Sequence, residues 1–200
     1  LGRCPGCQEW NSLIEQAVVA PVRSRKAASP LNPPRELSQV SIEETGRVPL
    51  PMPEFNRVLG GGLVPGSLIL TSGDPGIGKS TLLLQVAALV AKQGTVVYVS
   101  GEETLRQTKL RAERLGIKGE NLYLLAETDL EIILSQVDEL SPRLVIIDSI
   151  QAVSVPEVDT APGSITQVRE CTMRLMHWAK QSAVPVFIIG HVTKDGAIAG

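Results

Sequence analysis

The sequence predicts an α/β fold, a mainly parallel β-sheet sandwiched between layers of helices. Three observations favour this fold. Short aliphatic segments alternate with longer amphipathic ones, which is typical of successive β-α-β units. The aliphatic segments are continuous, as expected of strands that are buried on both faces. A glycine-rich segment follows the first aliphatic segment and precedes the first long amphipathic one, and it fits the phosphate-binding pattern G-x-x-x-x-G-K-S/T.

The composition limits the class of protein. The chain has 200 residues, a net charge of −2, 43% hydrophobic residues and 3% aromatic residues. These values allow one aliphatic core with appendages, and they exclude a basic surface spread over the whole molecule. No apolar segment has membrane-spanning length and no signal peptide is recognisable, so we expect a cytoplasmic protein with no membrane partner. A first residue that is not Met, and an end in an irregular segment, predict a piece of a longer protein.

Two cysteines near the start indicate a metal or redox site. Cys4 and Cys7 form a C-x-x-C pair with Pro-Gly between them. Tetrahedral zinc needs four ligands, so residues 1–19 are interpreted as a partial zinc-finger module that supplies half of a Zn²⁺ site. A redox dithiol, or a pair with no function, remains an alternative. Residues 20–36 are rich in proline and basic residues and predict a flexible linker, which leaves residues 37–200 for the α/β domain.

The segment before the first strand predicts a short helix that ends in glycines. Phe55, Val58 and Leu59 have helical spacing, and Gly-Gly-Gly follows at 60–62. A Pro-Gly turn then leads into a strand at 67–71. So many glycines just before a strand predict that the backbone there passes close to another element.

The phosphate-binding segment lies between that strand and a helix over 81–91, the context that the motif requires. Its glycines allow successive N–H groups to surround a phosphate, and the helix adds its N-terminal dipole. Lys79 can reach the outer phosphates of ATP, and the hydroxyl of Ser80 can bind Mg²⁺. The predicted nucleotide-binding residues are Gly73, Asp74, Pro75, Gly76, Ile77, Gly78, Lys79, Ser80 and Thr81.

The rest of the chain alternates between strands and helices. Capping boxes predict that helices begin at Thr104, with Gln107, and at Thr128, with Glu131. Helical spacing after residue 164 places Cys171 in the core rather than in a reactive site. The predicted strands are 95–100, 121–125, 144–149 and 184–190, the predicted helices are 104–115, 128–140 and the segment around 168–178, and 152–164 is predicted as an irregular loop.

Lys79 is a candidate catalytic residue, and further candidate catalytic and metal-binding residues lie at the ends of three of these strands, at the edge of a parallel sheet where ligands bind. Asp148 follows four aliphatic residues, a Walker B pattern that predicts a carboxylate for the Mg²⁺ shell. Glu102 and Glu103 follow an earlier strand and could orient and deprotonate water, with a slight preference for Glu103. Their alternative role is to favour a helix dipole. His191 could sense the γ-phosphate, or it could be a satisfied polar residue at a strand end.

Several motifs together resemble a known family. R-V-L-G-G-G-L-V-P-G-S at 57–67, the phosphate-binding segment, Y-V-S-G-E-E at 98–103, V-I-I-D-S-I-Q at 145–151 and G-H-V-T-K-D-G at 190–196 are similar to the bacterial RadA (Sms) family of DNA repair ATPases, which are RecA-like. C-P-G-C-x-x-W-N at 4–11 resembles the second half of that family's four-cysteine zinc finger.

The resemblance implies an activity and partners. It implies a DNA-dependent ATPase that binds single-stranded or branched DNA, assembles as a hexameric ring and promotes branch migration beside a recombinase. By the same resemblance Lys79 and Ser80 bind ATP and Mg²⁺, Asp148 is the Walker B residue, and Glu102 or Glu103 supplies the catalytic carboxylate. The loops after Gln151 and after His191 would face DNA. The chain lacks the family's first cysteine pair, its Lys-Asn-Arg-Phe-Gly motif and its Lon-protease-like domain.

Two other functions remain possible from the sequence. One is a nucleotide-gated assembly or signalling ATPase of the RecA-like class without motor activity, and the other is a nucleotide-bound scaffold. Basic residues are few near the proposed DNA-facing loops, Arg169 and Lys194 being the nearest. Modest DNA affinity with a shallow salt dependence is therefore expected.

Overall fold

The computed structural model describes residues 36–39 and 46–191. The chain divides into two compact units, Leu1–Ile42 and Glu43–Gly200. In the first unit the structure describes a short 3-10 helix, Leu37–Gln39. The predicted zinc module with Cys4 and Cys7, nearly all of the predicted linker and the loop after His191 lie outside the described residues.

The described part of the second unit alternates strands and helices as the sequence predicts. Each predicted strand is present, and the first extends beyond residue 71 into the phosphate-binding segment. The elements in chain order are α1 (Pro53–Val58), β1 (Leu68–Gly73), α2 (Lys79–Ala91), β2 (Val96–Ser100), α3 (Leu105–Arg114), β3 (Leu122–Leu125), α4 (Leu130–Leu140), β4 (Leu144–Asp148), a 3-10 helix (Ile150–Ala152), α5 (Ile165–Ser182) and β5 (Val186–His191).

The five strands form one parallel sheet in the order β1-β5-β4-β2-β3. Every strand therefore ends at the same edge. In the register of the sheet, Gly73 lies opposite His191, and Ser100 lies opposite Asp148. Strand order and register thus bring the ends of β1, β5, β4 and β2 into one row.

Both faces of the sheet are covered, and residue alternation assigns the side chains of each strand to two cores. Val97 and Val99 of β2 pack with α4 and α5, whereas Val96 and Tyr98 pack with α2 and α3. All four are at most 1% exposed. Burial on both faces explains why the strands are continuous aliphatic segments. The α/β fold with a parallel sheet between helices is confirmed, and it is that of a RecA-like P-loop domain.

The glycines before β1 lie against other backbone segments, as predicted. A Cβ atom on Gly62 would meet the carbonyl oxygen of Val48 at 2.6 Å. Val48 and Leu63 form an antiparallel bridge at this point. A Cβ atom on Gly66 would lie 3.1 Å from the carbonyl oxygen of Ala179, in α5. Glycine thus allows the close approach of residue 62 to Val48 and of residue 66 to α5.

Of the two predicted capping boxes, one is confirmed and one is wrong. Thr104 accepts a hydrogen bond from the N–H of Gln107, whose side chain bonds back to the N–H of Thr104. Helix α4, however, is capped by Asp129 rather than by Thr128. Asp129 forms a bridge with Ser154, so the chain remains extended for one residue more than the capping box predicts.

Helix α5 presents its apolar side to the core. Cys171 is fully buried there, as predicted, and its Sγ lies 3.5 Å from the carbonyl oxygen of Val153. Within the part of the chain that the structure describes, no helix is both long enough and apolar enough to cross a membrane.

Candidate nucleotide-binding site

The predicted phosphate-binding segment forms a loop between β1 and α2. Gly73 ends β1, and Lys79, Ser80 and Thr81 form the first turn of α2. Gly76 and Gly78 have φ values of +81° and +102°, which residues with a side chain rarely adopt. The loop thus turns back over the helix N-terminus, where unpaired N–H groups and the helix dipole favour an anion.

Lys79 lies inside this loop. Its Nζ donates hydrogen bonds to the carbonyl oxygens of Gly73, at 2.8 Å, and of Asp74, at 2.9 Å. The side chain is buried, at 7% exposure, while residues 74–78 are exposed. The positive charge therefore lies directly beneath an exposed loop of peptide groups. This arrangement fits the phosphate chain of a nucleotide.

Asp148 ends β4 and is the centre of a buried polar cluster. The hydroxyl of Tyr98, on the neighbouring β2, donates to its Oδ2 at 2.5 Å, and Nη1 of Arg111 lies 3.9 Å from the same oxygen. Burial and the adjacent Asp148 carboxylate raise the pKa of Tyr98, which keeps the hydroxyl protonated and able to donate. One oxygen of Asp148 is thus engaged from the β2 side.

The two candidate glutamates have different partners. Glu102 Oε1 accepts a hydrogen bond from the hydroxyl of Ser149 and lies 3.2 Å from Nε2 of His191. Glu103 Oε1 instead accepts a hydrogen bond from Nη2 of Arg111. Glu102 therefore joins the ends of β4 and β5, while Glu103 is held by helix α3.

His191 links this cluster to the phosphate-binding loop. It lies opposite Gly73 in the sheet, so the same residue neighbours the loop and contacts Glu102. Nε2 of Gln151 approaches its carbonyl oxygen at 3.5 Å. Among the described residues, Nδ1 of His191 has no hydrogen-bond partner.

The predicted irregular loop is attached to α5 by one buried side chain. Gln167 accepts from the N–H of Val155 at 2.9 Å and donates to the carbonyl oxygens of Val155, Val158 and Thr160. Gln167 is 2% exposed. Arg169 is exposed beyond it. The loop that was predicted to face DNA is therefore attached to α5 through three of its residues.

Sequence reasoning missed several residues of the site. Tyr98, Arg111, Ser149 and Gln151 contribute side-chain contacts, and only Tyr98 carried a signal, as an aromatic residue in an otherwise aliphatic strand. Arg111 lies on the helix after the glutamate pair, where a basic residue is indistinguishable from an ordinary solvent-exposed charge. The strand ends could be predicted, but the direction of each side chain could not.

The side chains present fit ATP with Mg²⁺. Ser80 and Asp148 offer the hydroxyl and carboxylate oxygens that a hard cation prefers. Within residues 36–39 and 46–191, no group of three or more His, Cys, Asp or Glu residues could hold a metal ion without such a ligand. Mg²⁺ commonly uses few protein ligands together with substrate phosphates.

Comparison with known proteins gives a domain match and several similar proteins. The sequence model of the AAA domain family matches residues 32–197. Over its whole length the chain is 51% identical to the DNA repair protein RadA of Halalkalibacterium halodurans, 50% identical to that of Bacillus subtilis and 52% identical to that of Listeria monocytogenes. It spans 44–45% of the length of these relatives.

Proposed function

The chain belongs to the AAA domain family and to the bacterial RadA family of DNA repair proteins, and from this premise we propose that it is the ATP-hydrolysing core of a DNA repair protein. One observation carries the proposal. The phosphate-binding loop, Asp148, Glu102 and His191 all lie along the same edge of the sheet. ATP hydrolysis requires a phosphate cradle, a metal-binding acid and a water-orienting carboxylate in one place.

The phosphate-binding loop would hold the triphosphate. N–H groups of residues 76–79, at the N-terminus of α2, would contact its oxygens, and Lys79 would exchange its hydrogen bonds to loop carbonyls for the outer phosphates. Ser80 and Asp148 would hold Mg²⁺, which when bound would supply positive charge that offsets the charge of the phosphates. The hydrogen bond from Tyr98 leaves Oδ1 of Asp148 for this purpose.

Glu102 is the proposed water-orienting residue. Glu103 is paired with Arg111, so its carboxylate is neutralised and directed toward α3. Glu102 instead lies next to His191, which neighbours the phosphate-binding loop. A carboxylate there can accept a proton from the attacking water. His191 would report the γ-phosphate to the loop that follows it.

The remaining parts of the proposal rest on the family. The protein binds single-stranded or branched DNA through the loops after Gln151 and after His191, and hydrolysis drives strand exchange or branch migration by a hexameric ring in the cytoplasm, alongside a recombinase. Cys4 and Cys7 provide half of a Zn²⁺ site. The similar proteins are DNA repair proteins, which supports a DNA partner.

The test is ATP hydrolysis by the full-length protein with and without single-stranded DNA, beside Lys79→Ala. Single-stranded DNA should increase the rate of ATP hydrolysis, and Lys79→Ala should abolish hydrolysis. A full-length protein that hydrolyses ATP at a rate indifferent to DNA would contradict the DNA-dependent part. It would favour a nucleotide-gated assembly protein. A full-length protein without any hydrolysis would contradict the ATPase assignment itself.

A further inference from the structure

Two residues outside the phosphate-binding loop lie next to the carboxylate of Asp148, one as a hydrogen-bond donor and one as a nearby positive charge. Tyr98 donates its hydroxyl hydrogen to Oδ2 at 2.5 Å, and Nη1 of Arg111 lies 3.9 Å from the same atom. Both approach from one side. Tyr98 is on β2, and Arg111 is on α3, which follows β2. In the strand order the phosphate-binding loop lies on the opposite side of β4, beyond β5.

Arg111 is also shared between two acids. Its Nη2 is bonded to Glu103, and its side chain is 19% exposed, against 10% for Asp148. Two carboxylates in a largely buried cluster repel one another, and a guanidinium between them offsets that repulsion. Nη1 of Arg111 has no hydrogen-bond partner among the described residues. Its N–H groups therefore remain free to donate to the Asp148 carboxylate.

These contacts have a consequence for metal binding. A carboxylate with one oxygen fixed by a neutral donor presents the other oxygen in a defined direction, and this preorganisation lowers the free-energy cost of binding. A nearby positive charge has the opposite effect, since it repels a divalent cation. Tyr98 and Arg111 should therefore change metal affinity in opposite directions.

We propose that Tyr98 and Arg111 are positioning residues of the Walker B carboxylate. The hydrogen bond from Tyr98 and the attraction of the Arg111 charge keep Oδ2 of Asp148 toward β2, so that Oδ1 is presented to the Mg²⁺ of a bound nucleotide, and the charge of Arg111 limits the affinity for that ion. The bond to Arg111 also keeps Glu103 away from the metal. This inference rests on the proposed function, in which Asp148 is the metal-binding acid.

The experiment measures the Mg²⁺ concentration needed to bind a fluorescent, non-hydrolysable ATP analogue to the full 200-residue chain. Tyr98→Phe removes only the hydroxyl and should raise the Mg²⁺ midpoint several-fold. Arg111→Gln removes the charge and should lower the midpoint several-fold, while turnover falls. Arg111→Lys keeps the charge and should leave the midpoint near that of the wild type, without restoring turnover.

Arg114→Gln is the matched control, because it removes the same charge from an exposed position three residues further along. The proposal is overturned if Arg111→Gln and Arg114→Gln have the same Mg²⁺ midpoint. It is also overturned if Tyr98→Phe folds and its Mg²⁺ midpoint equals that of the wild type. If Tyr98→Phe does not fold, the Mg²⁺ midpoints of the Arg111 variants alone test the proposal. Asp148→Asn distinguishes a failure of the proposed function from a failure of the inference about Tyr98 and Arg111. If it leaves the midpoint unchanged, the proposed metal-binding role of Asp148 fails, whatever the other variants do.

Discussion

Nε2 of His191 lies 3.2 Å from Oε1 of Glu102, so the last residue of β5 contacts the loop that follows β2 across the end of β4. Ser149 donates to the same carboxylate. The adjacent Glu103 has no share in this contact and pairs with Arg111. Two consecutive glutamates thus have different environments, and their substitution should have different effects.

Glu102→Gln should reduce ATP turnover by roughly 10²–10⁴-fold, the usual contribution of a general base. Binding of a non-hydrolysable ATP analogue should be retained, because the phosphate-binding loop is unchanged. Glu103→Gln is the matched control and should cost clearly less turnover. Steady-state hydrolysis at saturating Mg²⁺ and ATP measures both. A larger loss in Glu103→Gln would reverse the assignment.

Asp129→Ala should destabilise the protein by about 1 kcal/mol, the typical contribution of an N-cap side chain. Its carboxylate accepts hydrogen bonds from the N–H groups of Glu131 and Ile132. The sequence pattern would have selected Thr128→Ala instead. That substitution should lower the free energy of unfolding by only a few tenths of the loss expected for Asp129→Ala. Urea unfolding measures both free energies. Equal losses would show that the cap is not confined to Asp129.

The sequence predicted the strands because each is a continuous aliphatic segment, and it predicted candidate functional residues at their ends because a P-loop and a Walker B acid have recognisable patterns. It did not predict the beginning of α4. Thr128 and Asp129 are both good caps, and only the backbone bridge between Asp129 and Ser154 decides between them. Local chemistry was ambiguous there, and a tertiary contact resolved it.

In the candidate site, too, some features could be predicted from the sequence and others depend on tertiary contacts. That Glu102, Asp148 and His191 lie at one edge follows from the common direction of the strands in any parallel sheet. Which glutamate contacts His191 depends on the direction of two side chains, and one of them is set by Arg111, eight positions further along. No spacing rule connects Glu103 to Arg111, because the two are separated by a helix start whose geometry the sequence does not specify.

Gln167→Met should release the 153–164 loop. The change keeps much of the volume but removes four hydrogen bonds to the loop backbone and leaves a buried N–H of Val155 without a partner. A buried unsatisfied group costs about 1–3 kcal/mol. Urea unfolding should show this loss, and amide hydrogen exchange should become faster over residues 155–160. The exposed neighbour Thr166→Ala is the control, and equal behaviour of the two variants would contradict the role of Gln167.

Cys171 should make the protein less stable at alkaline pH. Burial raises the pKa of its thiol from the usual 9.0 to about 11. Above pH 9 the unfolded chain releases this proton while the folded chain retains it, so deprotonation favours unfolding. The contribution to stability is complete below pH 9, declines as the pH rises, and is lost by about pH 11. At about pH 10.5 the loss amounts to about 2 kcal/mol, since one pKa unit corresponds to about 1.4 kcal/mol.

Cys171→Ser tests this pH dependence, because a serine hydroxyl does not titrate in this range and can still donate to the carbonyl oxygen of Val153. Free energies of unfolding measured in urea at about pH 8 and about pH 10.5 give the change for each protein. Other groups, including the buried Tyr98, titrate alike in both, so the difference between the two changes isolates the thiol. The wild type should lose more stability than Cys171→Ser. If both lose the same amount, the thiol ionises as readily in the folded chain as in the unfolded chain, and its burial has no effect on its titration.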